Sequence, residues 1–179
     1  MKSTKLFLTG MLLSCAGLAQ SQILNADFEQ WSVMANGKDS AHQWSSSNNV
    51  VIGTTVSLLK ETPGHSGTAA AHVVTSPFGF VQYSTLGILV NGQANFSYGG
   101  GGGGANVAYE SGGGIPIGFK PPSLKGFYKY ETLTTSDQGM AVILLTKYNT
   151  TLNKRDTVSL ATHSFPVVGS YTAFEINLP

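Results

Sequence analysis

Asp27 and Glu29 stand two residues apart and are the closest carboxylate pair in this chain of 179 residues. In an extended strand, residues i and i+2 share a face. Side by side, the two carboxylates would be near enough to hold one cation, although the same spacing also describes an ordinary solvated strand face. Hydrolysis of a glycoside needs an acid and a base facing each other across a cleft, and the remaining carboxylates are scattered. His42, His65, His72 and His163 form no His-x-His or His-x₃-His pattern, so they lack the local ligand spacing of a zinc site. His65 falls in a Pro-Gly turn and is expected to be exposed, whereas His72 is expected to be packed or hydrogen-bonded within a strand. No Gly-x-Ser-x-Gly elbow is present, which leaves no local signature of a serine nucleophile.

Aromatic side chains are the other chemical resource, because a ring face packs on the C–H face of a sugar and Trp or Tyr adds a polar tip. Candidates are Trp31, Trp44, Tyr83, Tyr98, Tyr109, Tyr128, Tyr130 and Tyr148. Trp44 precedes the Ser/Asn-rich stretch Ser45 to Asn49 and is the leading platform residue. Tyr98 and Tyr109 follow, since they flank a glycine run. Tyr128 and Tyr130 share a strand face with Leu124 and belong to the core. Two triplets, Asp39-Ser40-Ala41 and Asp156-Thr157-Val158, fit an Asp-Ser/Thr-apolar pattern that resembles O-glycosylation sites of some secreted bacterial proteins.

These residues must be positioned by strands. The apolar residues alternate or come in short runs bounded by Gly, Asn, Pro and Ser, with no helical period. Strands are expected over 23–31, 50–59, 68–75, 80–90, 124–131, 141–148, 157–161 and 172–178. Glu61-Thr62-Pro63-Gly64 reads as a turn in which Pro fixes φ and Gly allows a positive one, and Asn91-Gly92 closes another strand. Val142-Ile143-Leu144-Leu145 is apolar on both faces, as in a central buried strand. About eight short strands at this spacing predict an all-β, antiparallel sandwich or barrel. Ten of the 22 glycines fall between Tyr98 and Gly118. That segment is either a binding loop or a long connection. No Gly-Lys-Ser/Thr follows it, so it is not a phosphate-binding loop.

Lys2 and Lys5 precede the apolar run Leu6 to Leu18, and Ala19-Gln20-Ser21 supplies small residues for cleavage. Residues 1–21 therefore read as a signal peptide, and 22–179 as one exported domain, periplasmic, cell-surface or extracellular. A rival reading takes Leu12-Leu13-Ser14-Cys15 as a lipobox that would tether the protein to a membrane through Cys15. Cys15 is the sole cysteine, so no disulfide framework or thiolate site is expected in the mature chain. The final strand runs to Pro179 with no closing turn, as in a piece of a longer protein. Net charge is +1 for the whole chain. There is no basic stripe of the kind that neutralises phosphates, so nucleic acid is not an expected partner.

Two stretches look familiar. Asn25-Ala26-Asp27-Phe28-Glu29-Gln30-Trp31, with His42-Gln43-Trp44, resembles the opening of jelly-roll carbohydrate-binding modules. The stretch from Gly114 to Tyr130, ending Leu124-Lys125-Gly126-Phe127-Tyr128-Lys129-Tyr130, resembles the signature of the bacterial carbohydrate metabolism domain family. Ser66-Gly67-Thr68-Ala69-Ala70 and Leu145-Thr146-Lys147 fit the same pattern. The resemblance implies a jelly-roll β-sandwich and a structural Ca²⁺ held in part by Glu29, with Asp27 beside it. The family's Arg before its Pro is Lys120 here and its first Tyr is Phe127, and Lys cannot make the bidentate contacts of Arg. The family's name reflects sequence context more than demonstrated activity. The expected function is a non-catalytic carbohydrate-binding or cell-surface module, with Trp44, Tyr98 and Tyr109 as ligand-binding residues. The alternatives are a structural or adhesion subunit that binds cell-surface proteins and, last, a glycan-active hydrolase.

Overall fold

The computed structural model describes residues 23–51, 54–77, 84–98, 105–108, 114–132 and 137–179. Residues 1–22 with Cys15, together with Tyr83, Tyr109 and most of the glycine-rich segment, lie outside these residues. The described chain is all-β. Its strands are β1 (Trp31–Val33), β2 (Asp39–Ala41), β3 (Trp44–Ser46), β4 (Leu58–Glu61), β5 (Ala70–Val73), β6 (Ser76–Pro77) and β7 (Ser84–Thr85). They continue with β8 (Leu89–Asn91), β9 (Asn95–Tyr98), β10 (Ala105–Ala108), β11 (Ser123–Tyr130), β12 (Gly139–Asn149), β13 (Lys154–Phe165) and β14 (Val168–Asn177). Every pair is antiparallel: β1 with β2, β3 with β8, β4 with β5, β6 with β7, β9 with β10, β11 with β14 and β12 with β13.

Two long ribbons form the C-terminal part. On β11, Leu124, Gly126, Tyr128 and Tyr130 face one way, and their register partners on β14 are Ile176, Phe174, Thr172 and Val168. Gly126 lets the Phe174 ring lie close against β11, since a Cβ would come within 2.8 Å of that ring. This face meets β13: the Tyr128 and Phe165 rings are 4.5 Å apart, and Phe165 is 5.3 Å from Phe174. Aromatic pairs at such distances add to the area they bury. Tyr128 is a packing residue, as its alternation with Leu124 predicts.

The β12–β13 hairpin departs from the expectation of a strand buried on both sides. Ala141, Ile143 and Leu145 are half-buried, but Val142 and Leu144 are 50% and 46% exposed, and Leu160, opposite Leu144, is 53% exposed. A continuous apolar run implies two covered faces only when layers lie on both sides. Here, among the described residues, the sheet has two strands and one covered face.

The segment 23–31 also differs from the expected strand. Asn25 and Phe28 adopt positive φ (51° and 55°), and regular strand begins only at Trp31. The Asn25 carboxamide explains this. Its Nδ2 donates to the carbonyls of Gln30 (3.0 Å) and His42 (2.9 Å), while its Oδ1 accepts from the Gln30 N–H (2.9 Å). A side chain thus supplies the bonds a neighbouring strand would have made, and Asn tolerates the left-handed region. Asp27 and Glu29 are consequently not two residues of one strand face.

Where β3 ends, a single 3₁₀ turn (Ser47–Asn49) carries the most buried group in the N-terminal part, and it is polar. Ser47, Asn48 and Ser57 have no exposed surface. Asn48 Nδ2 donates to the carbonyls of Asp39 (3.0 Å) and Leu58 (2.7 Å). Its Oδ1 accepts from the N–H groups of Ser57 (2.8 Å) and Leu58 (3.2 Å) and from Ser57 Oγ (3.1 Å). Ser47 Oγ donates to Ser57 Oγ and accepts from the Ile88 N–H at 3.1 Å. Lys38, also buried, donates from Nζ to the Val51 carbonyl at 2.6 Å. Buried polar groups persist when hydrogen-bonded, and here they join segments that lie far apart in sequence.

Candidate binding face

The loop between β4 and β5 lies over the outward face of β11–β14. It is held by two close approaches. Gly64 has no Cβ to strike the Ala69 carbonyl, so the loop closes on itself. Its glycine is needed for that contact, not for the positive φ expected of a turn glycine, since positive φ among the described glycines occurs at Gly37, Gly92 and Gly114. Gly67 likewise leaves room for the Glu29 carboxylate. That carboxylate accepts from Thr68 Oγ1 and from the Ala69 N–H (2.9 Å). These two bonds, the Thr68 hydroxyl first, hold the Glu29 carboxyl below its ordinary pKa.

So anchored, the loop sets His65 flat on Phe127, with ring centroids 3.5 Å apart and planes 12° apart. Tyr171 meets His65 edge-on at 5.5 Å. Phe127 remains 51% exposed. Lys129 Nζ stands 5.5 Å above the Tyr171 ring and pairs with Glu61, an arrangement that favours the cation. The other Glu61 oxygen is 3.0 Å from His72 Nδ1. The Tyr171 hydroxyl is buried and has no hydrogen-bond partner among the described residues.

The hydrogen bond from Lys129 holds the Glu61 carboxyl below its ordinary value, and the same bond raises Lys129. A carboxylate kept ionised by a paired lysine makes a poor proton donor. The face presents aromatic rings beside a paired cation and anion, with the Tyr171 hydroxyl buried beneath them. The pair's contribution to stability should be complete between about pH 4.3 and about pH 10.4. It falls at lower pH as Glu61 protonates through its depressed folded value, and at higher pH as Lys129 deprotonates through its raised one. Denaturant midpoints across pH, compared with Glu61→Gln, should differ by up to about 1 kcal/mol on that plateau, with the partly exposed pair screened by solvent.

The residues singled out from sequence lie elsewhere. Trp44 is half-buried, donates from Nε1 to the Asn25 carbonyl (3.2 Å), and its ring centroid is 4.9 Å from that of Phe28. Tyr98 is in β9, opposite Ala105, on a different ribbon from Trp44, and Tyr109 lies outside the described residues. Asp27 Oδ1 accepts from the Glu29 N–H at 3.5 Å. Among the described residues no three of His, Cys, Asp and Glu group to hold a metal ion. Both Glu29 oxygens meet hydrogen-bond donors of the loop, whereas Ca²⁺ takes six to eight oxygens. The described residues therefore fit a loop anchor at Glu29 and not a calcium shell.

His65, Phe127, Lys129, Glu61 and Tyr171 were not legible as a group, because they sit on a loop and three strands spread from position 61 to position 171. The one local signal was Phe127, an apolar residue on the polar side of an alternating strand, between Lys125 and Lys129. Comparison with family models, with curated proteins and with solved structures finds no match to this chain.

Proposed function

We propose that this protein is an exported, non-catalytic carbohydrate-binding module on a jelly-roll-like sandwich, with its ligand face at His65, Phe127 and Tyr171. The observation that carries this reading is the His65–Phe127 stack edged by Tyr171 and ringed by Glu61, His72 and Lys129. Sugar recognition needs a ring plane together with a few polar groups that fix orientation. The resemblance of the Leu124 to Tyr130 stretch to the carbohydrate metabolism domain family supports the same reading, because that stretch is β11 and carries Phe127. A glycan array probed with the chain lacking residues 1–21, with and without Ca²⁺, tests it. Saturable binding that weakens about tenfold in Phe127→Ala is expected, the value of a lost aromatic contact. A blank array from folded protein would overturn it.

A second reading, a structural or adhesion subunit that binds protein, is favoured by the exposed apolar strip Met140, Val142, Leu144, Val158 and Leu160. Contiguous apolar surface of this kind commonly marks a protein contact. On that reading the array stays blank, and Leu144→Ser with Leu160→Ser abolishes capture of the cell-surface partner.

A further inference from the structure

Two Asp-Ser/Thr-apolar triplets occur in the chain, and the structure separates them. Asp39-Ser40-Ala41 is strand β2. Asp39 Oδ2 accepts from the Lys60 N–H at 2.9 Å, and the Asp39 carbonyl accepts from Asn48. Ser40 is half-buried opposite Ser32, and Ala41 is 1% exposed. An enzyme could read this triplet only by unfolding the region around Asn48.

Asp156-Thr157-Val158 is presented outward. The Asp156 side chain is 46% exposed, Thr157 is exposed and Val158 is 46% exposed. The pairing of β12 with β13 slips here: Leu145 lies opposite Ser159 and Thr146 opposite Thr157, so Val158 has no partner. A bulge bends the strand and re-aims its side chains. Asp156 accepts from Asn149 Nδ2 at 2.7 Å, which fixes its carboxylate next to Thr157 in the chain while its side chain stays 46% exposed.

We propose that Thr157 is a site of O-linked glycosylation. A host glycosyltransferase would use a glycosyl donor activated as a phosphate or pyrophosphate ester. Thr157 Oγ1 attacks the anomeric carbon, the new C–O bond forms, and the bond from that carbon to the phosphate oxygen breaks. The phosphate leaves with the electron pair, and the hydroxyl proton passes to the transferase's base. The sugar would stand at the end of the apolar strip, beside Val158, where exposed hydrophobic surface otherwise faces water.

The test is the intact mass of the full chain purified from its native host, with its acceptor residue located by fragmentation after β-elimination. The unmodified mature mass plus one or more whole sugar residues is expected, lost in Thr157→Ala, retained in Thr157→Ser and retained in Ser40→Ala. Thr157→Ser keeps a hydroxyl at the same exposed position, so its retention separates loss of the acceptor from loss of the fold. An unmodified mass from the native host would overturn the proposal. So would a sugar that survives Thr157→Ala or disappears only in Ser40→Ala.

Discussion

Asn48→Ala should cost at least about 4 kcal/mol of folding free energy, measured as a shift in denaturant midpoint at unchanged slope. The loss follows from what the carboxamide leaves behind. Two carbonyls, two backbone N–H groups and a hydroxyl lose their shared partner in a site with no exposed surface. Each buried group left unpaired costs about 1–3 kcal/mol, moderated where water enters the cavity. Against a typical total of about 5–15 kcal/mol, one substitution should bring the N-terminal part close to unfolding. Asn48→Asp tests the geometry more sharply. It keeps the shape and the acceptor facing Ser57, but sets an oxygen against the Asp39 and Leu58 carbonyls. It should be no more stable than the alanine variant at neutral pH.

Gly64→Ala should cost about 2–3 kcal/mol and abolish any ligand binding that depends on His65. The added Cβ meets the Ala69 carbonyl oxygen, with the carbonyl carbon at 2.8 Å and the nitrogen at 3.2 Å. All three are backbone atoms that cannot rotate aside, which is the costly form of overpacking. Relief requires the loop to open, and opening lifts His65 from Phe127 and loosens the Thr68 and Ala69 contacts with Glu29. Thermal unfolding and ligand titration on the same sample distinguish this from a local clash. A destabilised variant that still binds at full affinity would show that the loop does not position the face.

The strand pattern was readable where alternation met a covered face. Ser123–Tyr130 shows its buried side as Leu124, Tyr128 and Tyr130 and its outer side as Lys125, Phe127 and Lys129, as the residues dictate. It failed where a side chain replaced a strand. Nothing local in Asn25 announces three bonds to Gln30 and His42, so the alternation of Ile23 to Trp31 promised a strand that the turn overrides. Val142 to Leu145 failed for a different reason. Sequence can report an apolar surface, but cannot report whether anything lies on it. The candidate face was illegible because its parts meet only through tertiary contact, and no local pattern announces that Glu29 is bonded to Thr68 and Ala69 of the loop.

The two-strandedness of every ribbon among the described residues has a consequence for how the molecule breathes. In an antiparallel pair, successive N–H groups point alternately toward the partner and away from it. With no third strand, every second amide along β12 and β13 faces an open edge. Deuterium should therefore enter these strands in a comb, fast and slow amides alternating, while the Ser57 and Leu58 amides, closed around one carboxamide, hold their protons to the last.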